Sequence, residues 1–155
     1  MNIFYIDVDP TKAAQYHYDR HVVKMILESA QLLCTSHHIL DGFKMGLYKP
    51  THKNHPCSIW VRESSYNYDW LYQLFCSLCD EYTFRFGKIH KTSLLIPTLK
   101  HKPRNIPLTE FTQPRQAMPD EYKDISSLVA YRKYYRDGKS HLKKYTKRSI
   151  PFWLE

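Results

Sequence analysis

Residues 19–33 read DRHVVKMILESAQLL and carry the clearest helical pattern in the chain. When residues are placed 100° apart, the apolar side chains of this region form one broad arc. The arc consists of Val22, Val23, Ile26, Leu27, Ala30, Leu33 and Cys34. Thr11 suits an N-cap and Asp41-Gly42 suits a helix end. The pattern therefore predicts one long helix from Lys12 to about Leu40, with this arc facing the core.

Helical signals also dominate the chain on both sides of this stretch. Pro56 suits the first position of a helix, and a second helical region is predicted from there to Phe86, broken near Ser64-Ser65 and ended by Gly87. Residues 2–8, NIFYIDV, favour a short strand or an extended arm that packs against the helices. Shorter helices are predicted at about 90–100, 125–137 and 139–147.

The predicted fold is a mainly α, compact single-domain helical bundle with a short N-terminal extended segment and a long proline-rich loop. The single domain spans 1–155, with a helical core at 13–87, the proline-rich loop at 101–124 and basic, aromatic C-terminal helices at 125–155. Four prolines interrupt every regular element within that loop. A loop of this length usually wraps the body of a domain or lines a site.

Composition favours an intracellular globular protein. With 43% apolar residues the chain can bury a core, and its four cysteines are too few for a secreted disulfide framework. No stretch approaches the roughly 18 consecutive apolar residues that cross a bilayer. We expect reduced thiols, a monomer, no membrane partner and a cytoplasmic location. The P-loop, GxGxxG, HExxH and Gly-x-Ser-x-Gly motifs are absent, so the commonest signature-bearing enzyme classes lack support.

One polar stripe on the first predicted helix contains His17, His21, Lys24 and Glu28, with Arg20 beside it. Two imidazoles, an amine and a carboxylate within reach of one another can serve general acid and base catalysis, because charged neighbours tune one another's proton affinity. The Lys24 amine, with positive neighbours, is a candidate nucleophile. The alternative is a solvated helix face on which Lys24 and Glu28 form an i,i+4 ion pair.

A polar, basic loop leads into the second predicted helix. It reads THKNHP from 51 to 56 and places His52, Lys53, Asn54 and His55 at a helix N-terminus. Free amide groups and the helix dipole favour a phosphate at such a position. We assign His55 a catalytic role and the other three side chains to phosphate or DNA binding. The alternative is that His55 or Asn54 only caps the helix.

The net charge of +8 is concentrated near the C-terminus, where residues 131–148 contain eight cationic side chains and one acidic side chain. Aromatic side chains are interleaved with these cations, and this composition suits phosphate neutralisation and base stacking. The predicted DNA or phosphate contacts are His17, Arg20, His52, Lys53, Asn54, Arg62, Arg132, Lys143, Lys144, Lys147 and Arg148. The alternative is a basic helix whose tyrosines pack inward.

No metal site and no cofactor are predicted. Cys76 and Cys79 lie one helical turn apart and could share a zinc ion, but a second ligand pair at short spacing is missing. Small buried hydrophobic side chains are the favoured interpretation of both cysteines.

Three groups of residues resemble a known protein family. They are the stretch at 19–33, Asn54-His55-Pro56 with Trp60, and the helix from Leu71 to Phe86 with Glu81, Tyr82 and Arg85. Together they cover about positions 13–87 and resemble small phage and bacterial proteins described as pyrimidine-dimer DNA glycosylases. The resemblance implies an all-helical fold that kinks double-stranded DNA and flips a nucleotide out of the duplex. It also implies an amine that attacks C1′ of the sugar, with Glu28 as the matching carboxylate.

The nucleophile is the point at which this chain departs from the resemblance. The best-known members use the α-amine of a small second residue, exposed by methionine removal, whereas Met1 is followed here by the larger Asn2. We therefore nominate Lys24, so that Glu28, Lys24, His21 and His55 are the predicted catalytic residues. The predicted function is a DNA-binding base-excision enzyme, a pyrimidine-dimer DNA glycosylase with abasic-site lyase activity, phage-encoded and located in the host cytoplasm.

Two other functions fit the same residues. One is a non-enzymatic accessory protein of a phage, such as an anti-defence protein, that binds a nucleotide or a nucleic acid. The other is a nuclease or nucleotide hydrolase that uses His17, His21, Glu28 and His55. All three functions place DNA or a phosphate-bearing nucleotide on the same basic surface.

Overall fold

The structure, a computed structural model, describes residues 1–155 and contains six α-helices and no strand. The helices are α1 (Pro10–Tyr16), α2 (Asp19–Asp41), α3 (Pro56–Glu63), α4 (Ser65–Phe86), α5 (Ile96–Leu99) and α6 (Ser127–Lys133). Short 3-10 helices lie at Lys91–Leu95, Asp120–Tyr122, Ser140–Leu142 and Phe152–Leu154, and a π-helix at Tyr134–Gly138. The predicted mainly α, single-domain bundle is confirmed. No helix is both long and apolar enough to span a bilayer.

The central helix, α2, packs against α3 and α4 and is enclosed on most of its circumference. Five members of the predicted apolar arc are buried, namely Val22, Ile26, Ala30, Leu33 and Cys34. Val23 and Leu27 are instead 41% and 40% exposed, while the polar side chains of His21 and Glu28 are buried. The solvent-exposed face of α2 therefore includes Val23 and Leu27 and not Glu28. The reason is that the N-terminal residues cover the side of α2 that carries Glu28.

The long helix predicted from Lys12 is divided in two, because the chain leaves helical geometry at His17 and Tyr18. Arg85 of α4 stabilises this break from inside the protein, where its side chain is fully buried. Its guanidinium donates to the main-chain carbonyls of Gln15 and His17, each at 2.8 Å. It also forms an ion pair with Asp19 at 3.1 Å.

Residues 2–8 form an extended segment and no strand, and residues 3–6 lie inside the core. Asn2 fixes the start of this segment, because its Oδ1 accepts hydrogen bonds from the N–H groups of Ile3 and Phe4 at 2.7 and 2.9 Å. The Asn2 Nδ2 donates to the carbonyl of Ala117 at 2.9 Å. Phe4 has a φ of 46°, which is uncommon for a residue other than glycine and turns the chain sharply. The first residue is thereby held in a defined position.

The helix predicted at 139–147 is wrong, because only Ser140–Leu142 is helical in that region. After this single turn, Lys144 and Thr146 hydrogen-bond to the start of α2. The Asp19 N–H donates to the carbonyl of Lys144 at 2.9 Å, and the Asp19 carboxylate accepts from the N–H and hydroxyl of Thr146 at 2.8 and 2.6 Å. These bonds draw the basic C-terminal segment onto the first turn of α2.

Candidate active site

A small cavity lies where the N-terminal segment, α2 and the π-helix meet. Its volume is about 120 Å³, close to the roughly 150 Å³ of an apolar protein cavity that takes up one benzene ring. The lining includes Met1, Asn2, Phe4, His21, Lys24, Glu28, Tyr134 and Lys139. A space of this size suits one ring, such as a sugar or a pyrimidine, and is too small for a whole nucleotide.

An amine and a carboxylate meet in this cavity. The α-amino group of Met1 lies 3.3 Å from Glu28 Oε1, and Lys24 Nζ lies 3.7 Å from Glu28 Oε2. The Met1 side chain is only 3% exposed, whereas the residue as a whole is partly exposed. The accessible part of Met1 is therefore the main chain that carries the amine. Glu28 Oε2 is buried without a hydrogen-bond partner, since 3.7 Å is too long for one. Such an unpaired buried oxygen is rare and is available to a ligand or a reacting group.

Positive charge dominates the lining of the cavity. The α-amine of Met1, Lys24 and Lys139 are its cations, and Glu28 is its single carboxylate. The excess of positive charge raises the local concentration of phosphate-bearing molecules. The cavity therefore suits a sugar ring that is attached to phosphates.

His21 presents a hydrogen-bond donor to the cavity. The Tyr18 N–H donates to the Tyr135 hydroxyl at 2.7 Å, and we assign the proton of that hydroxyl to the 2.8 Å bond with His21 Nδ1, because the hydroxyl has no other acceptor. The neutral imidazole then carries its own proton on Nε2. Burial and neighbouring positive charges lower the pKa of His21 to about 3, so the ring is neutral at pH 7. Phe4 stacks on the ring at 4.4 Å and fixes its plane.

Buried histidines are expected to make the stability of the protein depend on pH. Burial is the largest cause of the lowered pKa values of three histidines. The pKa is about 4 for His17, about 3 for His21 and about 4 for His37. Between pH 6.5 and about 4 the unfolded state therefore binds more protons than the folded state, so the free energy of unfolding falls as pH falls. We expect a lower urea midpoint at pH 5.0 than at pH 7.5.

The matched variant for this measurement is His37→Gln. The His37 Nε2 lies 2.9 Å from the Tyr68 hydroxyl, which itself donates to the Leu99 carbonyl, and a glutamine Nε2 can keep that donor without a titrating ring. The variant should show a smaller midpoint difference between the two pH values. Equal midpoints at pH 5.0 and 7.5 in the unchanged protein would contradict the prediction.

The loop before α3 reaches the same region of the protein. His55 caps α3, because its Nδ1 accepts the N–H of Cys57 at 3.0 Å, which leaves an Nε2–H donor on the neutral ring. Burial lowers the pKa of His55, as do the positive charges of the N-terminal amine and His52, while Glu28 acts in the opposite direction. The loop lies against α2, because the hydroxyl of Thr35 in α2 exchanges hydrogen bonds of 3.3 and 3.2 Å with the main chain of Thr51. The other loop residues are exposed, namely His52, Lys53 and Asn54.

A second concave surface, of about 420 Å³, lies at the first turn of α2. Its cationic side chains are Arg20, Lys143 and Lys144, and His141 is adjacent. All three cations are exposed. Free cations on a concave surface next to the cavity are suited to holding a phosphate backbone.

Two predicted DNA contacts are ion-paired within the protein. Arg132 pairs with Asp7 at 3.0 Å, and its Nε donates to the carbonyl of Ile6 at 2.9 Å. Arg148 makes two hydrogen bonds to the carboxylate of Glu81, at 2.8 and 3.0 Å. Their charges are therefore largely neutralised, and their contacts hold the N-terminal and C-terminal segments in place.

Three more predicted contacts have partners or positions inside the molecule. Arg62 donates to the carbonyl of Lys53 at 2.8 Å and so supports the loop before α3. Lys147 donates to the carbonyl of Phe84 at 3.2 Å but remains exposed. His17 is fully buried, and its Nδ1 lies 2.6 Å from the carbonyl of Ala13. Their roles in DNA binding stay predictions.

The sequence analysis missed several residues of the cavity. The sequence favoured Lys24 over the amine of Met1, although the apolar residues after Met1 indicated a buried N-terminal segment. Tyr134 and Lys139 reach the cavity from the C-terminal region, and Tyr135 supports His21 from behind. No short-range pattern connects those residues with α2.

Comparison with known proteins identifies the family. The family model described as pyrimidine dimer DNA glycosylase matches residues 1–94, which is more than half of the chain. The matched part contains the amine of Met1 and the carboxylate of Glu28, whereas Tyr134 and Lys139 lie beyond it. The chain belongs to the pyrimidine dimer DNA glycosylase family. Comparisons with curated proteins and with solved structures give no match.

Proposed function

We propose that this protein is a base-excision glycosylase that acts on damaged double-stranded DNA and then cleaves the abasic site. The observation that carries the proposal is the buried carboxylate of Glu28, with one oxygen beside an amine and the other unpaired. The size of the cavity, about 120 Å³, supports a sugar or a base as the group that enters it. Membership of the family supports the same reaction and DNA as the substrate.

The proposed reaction begins at the sugar of a flipped nucleotide. The unprotonated α-amine of Met1 forms a bond to C1′ while the C1′–N bond breaks, and the base leaves with that electron pair. The nitrogen loses its remaining protons, the C1′–O4′ bond breaks, O4′ takes up a proton and an imine links the protein to the opened sugar. Loss of a proton from C2′ then expels the 3′ phosphate, and water hydrolyses the imine.

Glu28 has two tasks in this sequence of steps. Its carboxylate stabilises the positive charge that develops at C1′, and this effect is strong in a site shielded from water. Its unpaired Oε2 is a base for the protons that leave the amine and C2′. One buried carboxylate beside one amine therefore supplies the acid and base chemistry of both steps.

Met1 is preferred to Lys24 as the nucleophile in a chain whose first residue is Met1. The α-amine is anchored by a buried side chain, whereas the Lys24 side chain is 69% exposed and free to move. We assign Lys24 to contact the phosphate next to the flipped nucleotide.

The histidines and the exposed cations position the DNA in this proposal. His21 and His55 are neutral donors, so they hydrogen-bond to oxygen atoms of the sugar or the base and do not take up its protons. Arg20, Lys143 and Lys144 bind the backbone on one side of the cavity. The exposed loop residues bind it on the other side, namely His52, Lys53 and Asn54.

The first test incubates the protein with labelled duplexes that carry a cyclobutane pyrimidine dimer, an abasic site or no lesion. We expect strand cleavage at both lesions and none in the undamaged duplex, resolved on a denaturing gel. Borohydride should trap a covalent adduct with the abasic duplex, because it reduces the proposed imine. Binding without cleavage or adduct would favour the non-enzymatic alternative.

Peptide mapping of the trapped adduct identifies the nucleophile. If the α-amine reacts, the adduct lies on the tryptic peptide 1–12. If Lys24 reacts, trypsin cannot cut after it, and the adduct lies on the joined peptide 21–44. An adduct on the second peptide would replace Met1 by Lys24 and leave the glycosylase proposal intact.

A further inference from the structure

An apolar ridge lies on the exposed face of α2, the helix that also contributes Lys24 and Glu28 to the cavity. Val23 and Leu27 are 41% and 40% exposed, although the sequence pattern assigned both to the core. They lie four residues apart on one side of the helix, and Leu27 directly precedes Glu28 in the chain. Two aliphatic side chains therefore remain partly exposed on the helix that carries Lys24 and Glu28.

The surroundings of this ridge are cationic. Arg20 and Lys24 are exposed on the same face of α2, and Lys139 lies across the cavity. On the opposite side the 3-10 helix Lys91–Leu95 packs against α2. Glu28, the residue after Leu27, is the only carboxylate among the residues that line the cavity. A ridge flanked by cations fits a polyanion better than an uncharged apolar partner.

The dimensions of the ridge fit duplex DNA. Four residues of an α-helix rise about 6 Å, while neighbouring base pairs are about 3.4 Å apart. The two side chains are therefore spaced by almost two base-pair rises, with Leu27 closer in the chain to Glu28 and to the nucleotide whose sugar or base enters the cavity. Proteins that kink DNA insert aliphatic side chains of this kind between base steps.

Resting on the glycosylase function proposed above, we infer that Leu27, supported by Val23, is a wedge that enters the base stack of duplex DNA beside the target nucleotide. It occupies the space that the flipped nucleotide leaves and so slows its return. The flanking cations hold the two phosphate backbones on either side. The wedge is a positioning element, and Leu27 takes no part in the bond changes at C1′.

The test compares cleavage of an abasic site in a duplex with cleavage of the same site in a single strand, which needs no unstacking. Leu27→Ala should lower the ratio of the duplex rate to the single-strand rate about tenfold, equivalent to about 1.4 kcal/mol. Leu108→Ala is the matched control, because Leu108 is 86% exposed and lies outside the cavity lining. The control should leave the ratio unchanged.

A second readout does not depend on turnover. A 2-aminopurine base next to the lesion should brighten when the unchanged protein binds the duplex and should brighten less with Leu27→Ala. An unchanged ratio together with unchanged brightening would overturn the wedge. A protein that brightens the probe but never cleaves would contradict the glycosylase proposal and leave the wedge standing.

Discussion

The Glu28→Gln variant is expected to lose at least about 100-fold in the rate of base excision while still binding lesion-containing DNA. Glutamine has nearly the same shape and keeps an oxygen for the amine of Met1, so the fold and the N-terminal segment should be unchanged. It lacks the negative charge that stabilises C1′ and cannot take up the protons that leave the amine and C2′. Single-turnover rates and binding titrations at one salt concentration measure the two effects.

Glu110→Gln is the control for the change in net charge. Glu110 is exposed and forms no ion pair, so its replacement adds the same charge without touching the cavity. We expect this control to cleave at the unchanged rate. Excision by Glu28→Gln within threefold of the control would make Glu28 a residue that only holds the N-terminus.

Replacement of Arg85 by methionine is expected to lower the free energy of unfolding by about 3–5 kcal/mol. The variant leaves the buried carboxylates of Asp19 and Glu81 without their shared partner and removes the donor from two main-chain carbonyls. The loss should appear as a lower urea midpoint at pH 7.5. Because Arg85 also holds the start of α2, base excision should weaken at temperatures where the variant is still folded.

Arg148→Met is the matched comparison for this effect, because it removes the other arginine partner of Glu81. The Arg148 side chain is 30% exposed whereas that of Arg85 is fully buried, so water can replace the lost contact. We expect a loss of about 1 kcal/mol or less. Equal losses in the two variants would show that burial of Arg85 has no special effect on stability.

The helical pattern was sufficient to predict most of the fold. The spacing of Val22, Ile26 and Leu33 indicated α2, Pro56 and Gly87 marked helix ends, and all three indications agree with the structure. The break at His17 was missed because a distant arginine stabilises it. The helix predicted at 139–147 was wrong for a similar reason, since Lys144 and Thr146 hydrogen-bond to Asp19 at the start of α2 and do not extend the short helix at Ser140–Leu142.

Part of the candidate site was also predictable. His21, Lys24 and Glu28 are three to seven residues apart, so helical periodicity alone placed them on one side of α2, and all three line the cavity. The amine of Met1 was not predictable from local signals, because it reaches Glu28 through a buried segment that turns at Phe4. The ion pairs of Arg132 and Arg148 with carboxylates were also not predictable from local signals. The net charge therefore suggested more unpaired cationic side chains than the structure contains.

The buried N-terminal segment also matters for how the protein is produced. A purification tag joined before Met1 would turn the α-amine into an amide and lead its linker past Glu28 through a cavity of about 120 Å³. With the α-amine as the proposed nucleophile, we expect tagged material to be inactive for reasons unrelated to folding. Glu155, at the other end of the chain, is exposed and lies outside the cavity lining, so a fusion partner belongs there.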